Sequence, residues 1–109
     1  MATPMKSRLS ITTDGQLHNP HAGEMLASEF LEPLELDIGA VAQAIGVPEA
    51  RLRAVIDGQS PLDADLDLRL GRYLGMSEGF FLRLQDRYEL LEAKRALNGA
   101  LDRIVPRAA

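Results

Sequence analysis

The chain contains no cysteine, which excludes a disulfide framework and any thiolate metal site. It also lacks an apolar run approaching the ~20 residues that a membrane span needs. Lys6 and Arg8 are not followed by an apolar stretch, so residues 1–20 do not read as a secretory signal, and a soluble, cytoplasmic protein is expected. Cations are scarce: 12 Lys and Arg stand against 16 Asp and Glu, for a net charge of -4, and none lies between Arg8 and Arg51. That balance argues against a general nucleic-acid coat, whose affinity comes from neutralising phosphates, but leaves room for a local basic face. The usual signatures of chemistry are missing too. Asp63, Asp65 and Asp67 have the spacing of a calcium loop, yet the glycine such a loop needs is Leu68 and its closing glutamate is Leu74. His18 and His21 offer two metal ligands in a polar arm, too few for a site. With no phosphate-cradling loop and no nucleophile set beside a base, the chain does not read as an enzyme, and no metal or cofactor is expected.

What is present is helical periodicity. Residues 1–20 are polar and read as a flexible arm, because so few apolar residues cannot offset the entropy of ordering it. From His21 the pattern becomes that of helices. A first one carries Met25, Leu26 and Phe30 on one side, with Glu24 placed to reach back toward its start, and ends before Pro33. Asp37 caps a second, with Ile38, Val41, Ala42 and Ile45 at three-and-four spacing, and Gly46 stops it. Pro48 opens a third, which ends at Asp57-Gly58; Asp63 caps a fourth, stopped by Gly75; Ser77 is expected to cap a long fifth. The spacing therefore predicts an all-α fold of five helices: an arm over 1–20, a helical domain over 21–97 and a tail over 98–109.

The third helix, within GVPEARLRAVIDG, is where the cations reappear. Advancing about 100° per residue, Leu52, Val55 and Ile56 share one sector, while Ala50 and Ala54 fall nearly opposite, flanked by Arg51 and Arg53. Two short helices joined by a tight turn at Gly46, the second with this layout, suit a helix-turn-helix reader of the major groove. Small alanines allow close approach to base edges, and the arginines can reach a guanine edge or a phosphate. Arg51, nearer the helix start, is expected to contact bases, and Arg53 to contact phosphate. The same layout also occurs on ordinary solvated helices.

Residues 21–90 resemble the HigA-type antitoxins, a branch of the XRE helix-turn-helix class with a lambda-repressor-like fold. The resemblance is carried by HAGEML, EFLEPL, VAQAIGV, LRLGRYLG and SEGFFLRLQDRYEL, the last with Phe81 where the family usually has Trp. It implies a homodimer that binds double-stranded operator DNA upstream of its own operon and neutralises a RelE-like, mRNA-cleaving toxin. By position it implies that Pro48, Ala50, Arg51 and Ala54 face the groove, with Gln43, Gln59 and Ser60 beside the phosphate backbone. Three positions depart from the family's pattern: Ile38 stands where Gln is frequent, the Gly58-Gln59-Ser60 loop is not basic, and Glu35 replaces a turn glycine. Residues 37–75 hold six acids and four arginines, a net of −2, which should weaken nonspecific binding. A regulator of this fold without a toxin, or a protein-interaction module whose DNA face has decayed, are the alternatives.

Two more surfaces follow. Glu24, Glu29 and Glu32, continued by Glu35 and Asp37, form an acidic side that could steer a basic toxin; the polar arm is a second candidate for that contact. In the fifth helix Phe80, Phe81, Tyr88 and Leu91 are most simply core, but the stripe continues through Leu97, Leu101 and Ile104 with little left to pack against. Phe81, Tyr88, Leu91 and Leu97 are therefore expected at a dimer seam, setting two recognition helices about one DNA turn (~34 Å) apart.

Overall fold

The computed structural model describes residues 17–108. Five α-helices follow in order: α1 (Ala22–Leu26), α2 (Ile38–Ile45), α3 (Glu49–Ile56), α4 (Ala64–Leu74) and α5 (Phe80–Leu97). No strand element lies among the described residues, and none of their helices is long and apolar enough to cross a membrane. Of the expected arm, residues 1–16 lie outside the described part. Residues 17–20 are not free: the Asn19 amide donates to the Tyr88 carbonyl and to Glu92, each at 3.1 Å, and Arg95 donates to the Leu17 carbonyl at 2.7 Å. These contacts tie the last residues of the arm to α5.

Local chemistry sets most helix limits. At α1 the cap is the imidazole of His21, whose Nδ1 accepts from the Glu24 amide at 3.2 Å; Glu24 does reach back, but to His18 Nε2 at 2.6 Å. Beyond α1 the backbone widens into a π-helical turn, Ala27–Leu31. Asp37 and Asp63 cap α2 and α4 through the amides of Ala40 (3.0 Å) and Leu66 (2.9 Å). The long helix departs from expectation. It begins at Phe80, not at Ser77, because its cap comes from another element: buried Asp67 of α4 accepts from the amides of Gly79 (2.7 Å), Phe81 (2.8 Å) and Leu82 (2.9 Å). Three donors and the positive end of a helix dipole compensate that carboxylate. Asp67, counted from sequence with the acids around the turn, is therefore an internal staple.

The core is made by Leu26, Leu31, Val41, Ile45, Leu52, Val55, Leu62, Leu66, Leu70 and Phe81. Phe30, Phe80 and Phe81 meet edge to face, with ring centroids 5.0–6.1 Å apart. Phe81 is 0% exposed, so it cannot belong to a dimer seam. Of its two expected places, core and seam, the ring takes the first, within the protomer's own core. Helix α1 crosses α3 at Gly23, where a Cβ would lie 1.9 Å from the Val55 carbonyl oxygen. Only glycine permits that approach.

Candidate nucleic-acid interface

Helices α2 and α3 are joined by Gly46, whose φ of 76° closes α2 in the left-handed conformation. On α3, Leu52 and Val55 turn inward, while Pro48, Glu49, Ala50 and Arg53 are exposed and Arg51 and Ala54 half-buried. The slim side of α3 is thus presented to solvent. Gln43 on α2 is exposed beside it. Gln59 and Ser60 are exposed in the loop that leaves α3, and both donate their amides to the Ala54 carbonyl, at 2.8 and 3.3 Å. That return explains why Ala54 is more covered than Ala50.

The arginines are placed differently from expectation. Neither stands free. Arg51 Nη2 lies 3.1 and 3.3 Å from the two Asp63 carboxylate oxygens and 3.0 Å from Asp65 Oδ2. Asp65 Oδ2 also accepts from Arg69 Nε at 3.0 Å, and Arg69 Nη1 donates to the Ile45 carbonyl at 2.8 Å. One chain of charges therefore runs from the recognition helix, through the first turn of α4, to the C-terminal end of α2. The Asp65 carboxyl is held below the usual carboxylate range, first by its hydrogen bond from Arg51, then, against desolvation, by that from Arg69 and by both charges. Arg53 Nη2 sits 2.5 Å from Glu49 Oε2, one turn earlier. That hydrogen bond, followed by the charge of Glu49, pushes the Arg53 guanidinium above its ordinary value. The sequence assigned Asp63 only its capping role; its contact and that of Asp65 with Arg51 depend on how α3 and α4 are packed, which periodicity does not encode.

The remaining expected sites lie elsewhere. Glu24 is half-buried beside His18, Glu29 half-buried with Ser28 Oγ donating to it at 3.3 Å, and Glu32 exposed where the first helical segment ends. On α5, Tyr88 is half-buried and meets the His21 ring edge to face at 5.7 Å. Leu91 and Leu97 are exposed, as are Leu101 and Ile104 after the helix and, beyond the expected stripe, Leu90. Met25, Leu84, Tyr88, Leu90 and Leu91 line a groove of about 380 Å³ along this face.

A pair of short helices around a left-handed glycine, the second outward and arginine-flanked, braced by three further helices, defines a helix-turn-helix protein. No family model matches the chain. It is 36% identical over 75 residues to the virulence-associated protein I of Dichelobacter nodosus, covering 69% of each chain. It is 35% identical over 72 residues to the antitoxin HigA-1 of Vibrio cholerae, covering 66% of this chain and 68% of that one. Among solved structures, the Pseudomonas aeruginosa antitoxin HigA with the higBA promoter superposes with a TM-score of 0.76 at 29% identity, over 84% of this chain and all of that one. The chain belongs to the HigA family of helix-turn-helix antitoxins, and its relatives include antitoxins and helix-turn-helix transcriptional regulators.

Proposed function

We propose that this protein is an autorepressor and antitoxin: a homodimer that binds operator DNA upstream of its own operon and neutralises a RelE-like toxin. The observation that carries the DNA half is the outward side of α3, where Pro48 and Ala50 leave a slim, exposed ridge between Arg51 and Arg53. The relative solved with promoter DNA shares this fold across its full length. Arg51 reads bases and Arg53 holds a phosphate, with Gln43, Gln59, Ser60 and Ala54 alongside. Two-fold pairing through the exposed leucines of α5 would set two such ridges on one face of a duplex. For the toxin half, Glu24, Glu29 and Glu32 offer negative charge to a basic partner.

The DNA test is fluorescence anisotropy with the protein's own upstream duplex. Arg51→Ala abolishes operator preference, costing ~1–3 kcal/mol, whereas Arg53→Ala weakens operator and unrelated duplexes about equally. For the toxin, co-expression with the adjacent gene restores growth that the gene alone arrests. One observation favours a second reading, a protein-interaction module whose DNA face has decayed: both arginines of α3 are bound to this chain's own carboxylates. Equal affinity for the upstream duplex and a scrambled one would select that alternative.

A further inference from the structure

On the operator reading, we infer that Asp63 and Asp65 are specificity determinants: they hold Arg51 by the one nitrogen that both of its recognition edges share, so backbone phosphates alone do not release it. A guanidinium presents two edges with paired donors, Nε with Nη2 and Nη1 with Nη2, and two-point contact with a guanine uses one complete edge. In this structure the carboxylates of both aspartates converge on Arg51 Nη2 at 3.0–3.3 Å. Nη1 and Nε remain, but they do not form an edge together. With the latch closed, two carboxylates crowd the nitrogen that either two-point contact needs.

The latch is anchored, not incidental. Asp63 is fixed by its own capping bond to the Leu66 amide at 2.9 Å, and Asp65 by Arg69, itself held on the Ile45 carbonyl at 2.8 Å. A phosphate offers Arg51 what the carboxylates already supply, and must approach two negative charges to do so. The O6 and N7 acceptors of guanine are uncharged and form the paired acceptor that a full edge matches. The two ligands are therefore treated unequally: phosphate is repelled as it competes, and guanine competes without repulsion. Exposed ion pairs are weak enough for such an exchange.

The test uses the full chain and two duplexes of equal length, the upstream sequence and its scramble. Asparagine is a good cap, so Asp63→Asn with Asp65→Asn removes charge while keeping the start of α4. Asp65→Asn alone touches no cap, and a melting curve matching wild type separates loss of the latch from loss of fold. The double variant should bind the scramble roughly five- to tenfold tighter near 0.1 M salt, with a log–log salt slope steeper by about 0.9 for the phosphate gained. Its operator affinity rises less, so discrimination falls. In an Arg51→Ala background the same changes leave affinity for the scramble unmoved. An equal gain in scramble affinity with Arg51 absent would overturn the latch, since the effect would be general charge. Weaker operator binding by the double variant would overturn it too, making the aspartates a buttress. Wild type preferring its operator, with a ratio that the double variant leaves unchanged, removes the latch alone; wild type without preference removes the operator reading with it.

Discussion

Glu35 carries a conformation its side chain disfavours. It sits at φ 54° in the turn between the first helical segment and α2, where the family's pattern has glycine. A left-handed non-glycine costs roughly 1–2 kcal/mol, and glycine's greater freedom in the unfolded chain returns about 0.5–1 of that. Glu35→Gly should therefore raise stability by up to about 1 kcal/mol, read as a higher urea midpoint at an unchanged slope. A lowered midpoint would mean that the carboxylate, or the ordering of this turn, outweighs the strain. This residue was legible in the sequence, because a departure from a glycine position names its own backbone problem. Arg51 was legible only by half. Its place on the outward side of α3 follows from periodicity, but its partners sit on the next helix. The angle between two helices decides that contact.

At the scale of elements, the sequence disclosed those helices whose limits are local. Asp37 and Asp63 cap the segments they precede, and Gly46 and Gly75 end theirs with φ of 76° and 75°. Where an end is fixed from a distance, the reading failed. Ser77 looked like a cap because it precedes an apolar stripe, but the amides of Gly79, Phe81 and Leu82 are taken by Asp67, at 2.7–2.9 Å. Losing that carboxylate would orphan three buried or half-buried donors, each worth ~1–3 kcal/mol when left unmade. The HAGEML segment was read as a family mark and a helix start; its glycine proves to be the contact point of two helices. A side chain at Gly23 would have to displace the α3 backbone around Val55 and Ile56, so the orientation of the recognition helix depends on a missing methyl group. The docked end of the arm was missed for the same physical reason. Asn19 and Leu17 gain their partners, Tyr88, Glu92 and Arg95, only after α5 has packed.

For the whole molecule, the question is what covers α5. In the described protomer Leu90 is 62% exposed, Leu91 38%, Leu97 43% and Leu101 48%. Leu90, Leu91 and Leu97 lie on α5, beside a groove that Met25 and Tyr88 help to line, and Leu101 lies on the 3-10 turn Ala100–Arg103 that follows it. A clustered apolar face of this kind marks an interaction surface. Phe81 is fully buried in the protomer's own core, so the seam must be built from the later residues, Leu91 and Leu97 with Leu90 and Leu101. Leu91→Glu with Leu97→Glu places two charges there without touching the core. Sedimentation equilibrium at micromolar concentration should give twice 11.9 kDa for the wild type and 11.9 kDa for the variant, at a similar melting temperature. Operator affinity should fall with it by about 10²–10⁴, because two linked half-sites gain effective concentration that two separate subunits lose. A wild type that sediments only as the 11.9 kDa protomer would remove this seam. A variant that stays dimeric would move it to another face, since two buried glutamates cannot be accommodated in a leucine interface without partners.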